Sequence, residues 1–436
     1  MTTSSGRAIV LGGGVAGIAA SFALRDQGRE VELLEGSGHL GGRVFSFADG
    51  RLDDELDNGP HVMLGCYDQM RRLLRRLGTE ADFVQPRSLE LTYLEVGGEQ
   101  RALRMSRLPV PLALPGALRR LRGVTWRERF RAMQGAAASL RGAPPSWTLE
   151  EWLRRRKQQG GPRRFLWEPL CRAIMNAEPA AVSADVFLAT LRRAFSGRAG
   201  RAAIWIPRRP WSAIVGRPAE QALRRDGVRV ELNRRVRSLR LGDGEVTSIT
   251  FERGGDIEVG PGDLVVSAVP WHRFARWLPS ELVEAPASFE GRAIVNLHVD
   301  WGEWSGIGSS ASLIALVDGH PFQFLYRRPS DPPGRFVLIA AACAELEGLK
   351  ASEVERLGRE QLARYCPGAQ LPADGQARVT VEPLATLLVA PETQRRRPAG
   401  DRLEGVRNLA VCGDWTQTQL PSTLEGAAAS GFGLRV

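Results

Sequence analysis

Arg7-Ala8-Ile9-Val10-Leu11-Gly12-Gly13-Gly14-Val15-Ala16-Gly17 carries four apolar residues, Ala8 to Leu11, straight into a G-x-G-x-x-G turn, and a helix to about Gln27 follows. A strand before these glycines and a helix after them is the context in which the motif binds a dinucleotide. Gly12 permits the tight turn, Gly14 lets backbone approach a pyrophosphate, and Gly17 lets the helix pack onto the strand. Val15 and Ala16 open the helix, whose positive end and free amides favour phosphate. The next strand, Glu30 to Leu34, delivers Glu35 at the spacing of a carboxylate that accepts from ribose hydroxyls, which also disfavours a 2′-phosphate. Gly41-Gly42-Arg43 closes the stretch with two more glycines near the ligand and a guanidinium able to grip phosphate as a fork.

The remaining composition narrows the class. A chain of 436 residues exceeds one core and suits two interleaved domains. Its hydrophobic content of 43% is ordinary for an enzyme. No basic leader precedes an apolar core and no apolar run approaches 18 residues, so neither a signal peptide nor a spanning helix is expected. The cysteines (Cys66, Cys171, Cys343, Cys366 and Cys412) are odd in number and widely spaced. That pattern fits reduced thiols and a cytoplasmic location, and argues against a disulfide framework or a zinc site. The net charge is +10, and residues 101–172 hold 17 basic side chains against four acidic ones. No nucleic-acid motif accompanies them, so nucleic acid is not an expected partner.

Two further stretches carry the chemistry. The first is Leu56-Asp57-Asn58-Gly59-Pro60-His61-Val62-Met63-Leu64-Gly65-Cys66-Tyr67. The second is Gly413-Asp414-Trp415, continuing through Leu420-Pro421-Ser422-Thr423 to Glu425-Gly426-Ala427. The glycine-glycine-arginine segment after Glu35 resembles flavoenzymes of the amine oxidase and phytoene desaturase superfamily. The block from Asp57 to Tyr67 resembles the squalene-associated FAD-dependent desaturases, the bacterial hydroxysqualene dehydroxylases of hopanoid biosynthesis. The C-terminal stretch resembles the closing FAD motif of that superfamily. The resemblance is strong at both ends and in the 56–67 block, and weaker between. Where the family has an aromatic-acidic-Arg sequence, this chain has Phe324-Leu325-Tyr326-Arg327-Arg328.

What the resemblance implies is an α/β fold: a Rossmann-type FAD-binding domain interleaved with an α+β substrate domain. The FAD-binding parts are expected at 1–82, 201–285 and 401–436. A helical cap is expected at 83–200, and a mixed sheet roofing the flavin at 286–400. The cofactor is FAD, bound without a covalent link. Gly12, Gly14, Val15, Ala16, Gly17, Glu35, Gly42, Arg43 and Val236 would hold its nucleotide half, and Gly59 is a further cofactor-binding residue. Gly413, Asp414 and the turn Leu420-Pro421-Ser422-Thr423 would hold the flavin, with Asp414 accepting from ribityl hydroxyls. His61 is the leading candidate for a proton donor or positioning group, since histidine titrates near neutrality. Asp57 is the second candidate, or else a residue that orients backbone amides.

The implied substrate is a long apolar isoprenoid, reduced from hydroxysqualene to squalene. The alternatives are a carotenoid-type desaturase, an amine oxidase, and a flavin-free lipid carrier of the same fold. Intact Glu35, Arg43 and Asp414 speak against the carrier. The presence of only two lysines, Lys157 and Lys350, speaks against an amine oxidase. The apolar, proline-rich stretch from Leu108, flanked by arginines to Arg131, has two readings: contact with an anionic membrane surface on the inner face of the cytoplasmic membrane, or a cap helix packed on its own domain.

Overall fold

The computed structural model describes residues 6–435 except 53, 303, 305, 309, 342, 401 and 402. Its first sheet is wholly parallel. The strands are β1 (Ala8–Leu11), β2 (Val31–Leu34), β3 (Arg229–Glu231), β4 (Leu264–Ser267) and β5 (Leu409–Val411), in spatial order 3-2-1-4-5. That is the order of a doubly wound nucleotide fold. Every residue of β1, β2 and β4 is buried, and all but Glu32 and Ser267 are apolar, as in parallel strands covered on both faces. Helix α1 (Val15–Asp26) follows β1, and α2 (Leu424–Phe432) follows β5. The two helices pack closely: a Cβ on Gly431 would lie 2.2 Å from Ala16 O. Residues at both N-termini, Val15 and Ala16 of α1 and Thr423 and Leu424 of α2, line the same cavity.

The second sheet has seven strands in the order 376–387, 291–300, 335–341, 324–326, 313–316, 90–94, 100–104. It is mixed, because Leu313–Leu316 runs parallel to Glu90–Leu94 while the other pairs are antiparallel. Residues 83–200, expected as a helical cap, thus contribute their first hairpin to the substrate sheet. The strand Gln376–Leu387 escapes the pattern because its burial alternates poorly and it carries Pro383. Pro is tolerated there because the strand lies at the sheet's edge.

The rest of the cap is helical. Thr125 accepts from Glu128 N and Glu128 reaches back to Thr125 N, which starts the helix Trp126–Ser139. Thr148 and Glu151 do the same for Leu149–Arg155. A further helix begins with a wider turn at Arg163–Trp167, continues as Glu168–Met175, and stops where Asn176 turns left-handed (φ 48°). The hairpin 236–251 turns through Asp243 and Gly244, both at positive φ, the geometry that matches strand twist.

Candidate functional site: a dinucleotide cleft continuous with an apolar chamber

One cavity of about 880 Å³ runs between the two domains. Its nucleotide end is lined by Gly12, Gly14, Val15, Ala16, Glu35, Gly42, Arg43 and Val236. Gly12 adopts φ +107° and Gly42 φ +61°, which side-chain-bearing residues rarely adopt. The two glycine turns are tied together by Gly41 N donating to Gly13 O at 2.8 Å. A Cβ on Gly14 would meet nothing nearer than Gly42 Cα at 3.9 Å, so the space facing this backbone is free for a pyrophosphate. Helix α1 has neither a capping side chain nor an acid in its first turn, which leaves its first amides to an anion. Gly17 does not line the cavity. Its Cβ would lie 1.9 Å from Gly12 O, so it serves the packing of α1 against the turn.

Glu35 holds the loop as well as facing the cleft. Its Oε2 accepts from Gly13 N at 2.6 Å and its Oε1 from Ser37 N at 2.7 Å. Each carboxylate oxygen keeps a second lone pair for a ribose hydroxyl. Arg43 is not a free fork for phosphate. Its guanidinium donates to Ala385 O and to Asp414 Oδ1, both at 2.6 Å, and so joins the substrate sheet to the C-terminal motif.

The flavin end is built on Asp414. Its Oδ1 takes Arg43 and its Oδ2 takes the hydroxyl of Ser422, whose Oγ in turn accepts from Leu387 N at 3.1 Å. Gly413, Asp414, Ser422 and Thr423 line the cavity. Thr423 also caps α2 by accepting from Gly426 N. Leu420 and Pro421, expected in a flavin wall, are buried behind that wall.

Arg397 explains their position and was not foreseen. This buried guanidinium donates to Asp414 O (2.8 Å), Trp415 O (3.3 Å) and Leu420 O (2.7 Å). Burial lowers its pKa to about 10, so it remains charged at neutral pH. Glu425 likewise works from the motif outward, accepting from Gln69 N and Met70 N to cap the helix Asp68–Leu77. A lone arginine among several gives no periodic or spacing signal, which is why sequence reasoning passed over it.

His61 lies on the loop 58–62, which is held beneath the sheet. Asn58 O accepts from Thr380 Oγ1 (2.9 Å) and Asn296 Nδ2 (3.3 Å). His61 lines the cavity and packs edge-on against Trp211, with centroids 5.9 Å apart. Its Nδ1 lies 2.7 Å from Gly59 O, which can only accept. Nδ1 therefore carries the proton, and Nε2 presents a lone pair. Burial lowers its pKa to about 4, and Arg43 adds to the effect. A neutral imidazole is poorly suited to donate a proton at neutral pH.

Asp57 is not in the cavity wall. Its Oδ1 accepts from Ser46 Oγ (2.7 Å), on the paired strand Ser46–Asp49, and from Trp211 N (2.8 Å), at the head of the helical stretch 211–225. Burial raises its pKa to about 6.

The chamber beyond is roofed by one face of the mixed sheet, through Ile294, Leu313, Phe324, Tyr326, Ile339, Ala341 and Leu384. Among the described residues, Glu382 is the only carboxylate that this sheet presents to the cavity. It accepts from Asn58 Nδ2 at 3.1 Å. Sequence reasoning missed Glu382 together with its strand. Lys157 and Lys350 are both exposed and absent from the wall.

A doubly wound sheet, two helix N-termini on one crevice and acidic groups at both ends of the cleft define an FAD-dependent oxidoreductase, and the residues present fit that cofactor. The chain belongs to the family of flavin containing amine oxidoreductases, whose model matches residues 15–433. It is 29% identical over 97% of its length to a hydroxysqualene dehydroxylase from Sinorhizobium fredii, covering 95% of that protein. A hydroxysqualene dehydroxylase from Rhodopseudomonas palustris is 27% identical, with 97% and 96% covered. A 15-cis-phytoene desaturase from Narcissus pseudonarcissus is 25% identical over 97% of this chain and 77% of its own. Among solved structures, an oxidoreductase from Methanosarcina mazei superposes with a TM-score of 0.75 at 15% identity, over 98% of this chain and 99% of that one.

Proposed function

We propose that this flavoprotein removes the hydroxyl of hydroxysqualene reductively, giving squalene. The observation that carries the reading is the similarity to hydroxysqualene dehydroxylases along almost the whole of both chains. The chamber is consistent with it, since a long isoprenoid needs apolar and aromatic walls and an allylic cation needs shelter from water. When bound and reduced, the flavin supplies a hydride. The chain's own residues must bind the isoprenoid, exclude water and bring a proton to the leaving hydroxyl. Phe324, Tyr326, Leu313, Ile339 and Leu384 supply the apolar wall. Neutral His61 positions groups through Nε2. Glu382, on the roof, is the carboxyl group placed to handle the proton.

The phytoene desaturase similarity supports a second reading, oxidation of a polyene, although the aligned part is only 77% of that relative. Amine oxidation is disfavoured because many amine oxidases use a lysine near the flavin, and both lysines here lie outside the cavity.

The test is anaerobic incubation of the reduced holoenzyme with hydroxysqualene in D2O, where N5 of the reduced flavin carries deuterium by exchange. Squalene carrying deuterium is the expected product. Squalene that never carries deuterium rules out direct hydride delivery. Conjugated polyenes formed by the oxidised enzyme from squalene or phytoene would establish the desaturase reading instead.

A further inference from the structure

Among the described residues the large apolar side chains that face solvent are concentrated in one place. Leu108, Leu112, Trp126, Phe130, Met133 and Leu140 are exposed there, against Val96, Leu349 and Val381 elsewhere. They belong to a hairpin of two helices, Val110–Arg120 and Trp126–Ser139, and the segments flanking it. Trp126 is 71% exposed, Leu112 66% and Phe130 56%, values that no packing within the chain accounts for. Trp126, Phe130 and Met133 stand at i, i+4 and i+7, on one helical face.

The hairpin is also packed on its inner side. Ala113, Leu114, Ala117 and Leu118 of the first helix, and Ala132, Gly135 and Ala138 of the second, are buried. One face of the hairpin is therefore packed as a cap, while the other is apolar and uncovered. An ordinary surface helix is polar on that second face, and a contiguous exposed apolar patch marks an interaction site.

Charge identifies the occupant. Arg107, Arg119, Arg120, Arg122, Arg127 and Arg131 are exposed around the patch, and none of them forms an ion pair among the described residues. Arg127 lies 5.4 Å over the Trp126 ring. Apolar and aromatic side chains rimmed by free arginines suit the boundary between anionic headgroups and acyl chains, where tryptophan is favoured. Nucleic acid would engage the arginines and leave the leucine and phenylalanine side chains uncovered. No described helix is long and apolar enough to cross a membrane, so any such contact lies on the surface.

We propose that the outer face of this hairpin docks the enzyme on an anionic lipid surface, with Leu112, Trp126 and Phe130 inserted and the arginines on headgroups. Its purpose rests on the isoprenoid substrate proposed above, while its physical basis is the hairpin itself. Leu114 is buried and takes no part.

The test is flotation of the flavin-loaded enzyme with vesicles of phosphatidylcholine, alone or mixed with phosphatidylglycerol. Binding to the mixed vesicles is expected to be stronger and to weaken as salt is added. Replacing Arg119, Arg120 and Arg122 together by Gln should weaken it by on the order of 100-fold. The triple variant Leu112→Glu, Trp126→Glu, Phe130→Glu should no longer float, with flavin content and thermal midpoint unchanged. Trp126→Gln alone, at an exposed position, should shift binding in the same direction. Flotation indifferent to phosphatidylglycerol, or to both sets of changes, would overturn the proposal. So would a dimer in solution that the apolar variant converts to monomer, because a second copy would then cover the patch. Turnover of detergent-dispersed hydroxysqualene tests the substrate reading separately, since failure there leaves flotation intact.

Discussion

His61 owes its character to a single contact. Gly59 O fixes the proton on Nδ1, and burial keeps the second proton off Nε2 until about pH 4. His61→Ala should therefore slow turnover through lost positioning while leaving the pH profile between 5 and 8 unchanged. A limb in that range that disappears in the variant would show that His61 is the acid after all. Glu382 is the carboxyl that the substrate sheet presents to the chamber. Glu382→Gln should retain flavin, seen in its absorption spectrum, and lose roughly 100-fold or more in single-turnover rate, the usual scale of general acid catalysis. At the other end of the cleft, Glu35→Ala removes the acceptor of Gly13 N and Ser37 N. Flavin affinity, measured by titration of the apoprotein, should fall by about 1 to 3 kcal/mol. Wild-type affinity would remove Glu35 from the ribose contact.

The segment from Gly413 to Thr423 has little regular structure of its own, and its shape is imposed from outside. Arg397 holds three of its carbonyls, Arg43 and Ser422 hold the Asp414 carboxylate, and α2 begins only at the Thr423 cap. A methionine at 397 could fill much of the volume but would leave those carbonyls without a donor. Arg397→Met should cost about 3 kcal/mol or more in chemical denaturation and should loosen flavin binding. Unchanged stability would mean that water replaces the guanidinium and that the clamp is dispensable. Lysine, with one compact ammonium in place of a planar fork, should restore only part of the loss.

Acid stability reports on the whole molecule. His298 is buried in the substrate sheet, 3.3 Å from Thr380 Oγ1 and outside the cavity wall. Burial lowers its pKa to about 4 from an ordinary 6.5. Above pH 6.5 neither the folded nor the unfolded chain has to charge it. As pH falls from 6.5 towards 4, the unfolded chain binds the proton and the folded one does not, so stability is lost across that window, by on the order of 3 kcal/mol at most. Asp57 acts in the opposite sense: its folded pKa of about 6 means that protonation below that pH relieves the folded state. Asp57 and Glu425, whose carboxyl pKa values burial raises, do not offset His61, His272 and His298, all lowered to about 4. Thermal midpoints should thus fall between pH 6.5 and 4, and His298→Gln should flatten the slope by about one proton's worth. Parallel curves for the two proteins would mean that His298 titrates normally in the fold.

The cofactor cleft was legible because it depends on local chemistry. Gly12, Gly14 and Gly17 are dictated by turn geometry and close approach, Glu35 by a strand of set length, and Asp414 by the motif around it. Capping pairs such as Thr125 with Glu128 are equally local, so helix starts could be read from the chain alone. The chamber was not legible in the same way. Glu382 faces it only because an edge strand pairs with residues 291–300, and Asp57 misses it because Ser46 on the paired strand and Trp211, distant in sequence, claim its carboxylate. Arg43 could be placed near the ligand, but only folding shows it committed to Ala385 O and Asp414. Composition marked residues 108–131 as apolar and basic, while packing settled which leucines it leaves in solvent. Turn conformation and capping are decided within a few residues, whereas proton position, burial and partner choice are set by groups that meet only when distant segments fold together.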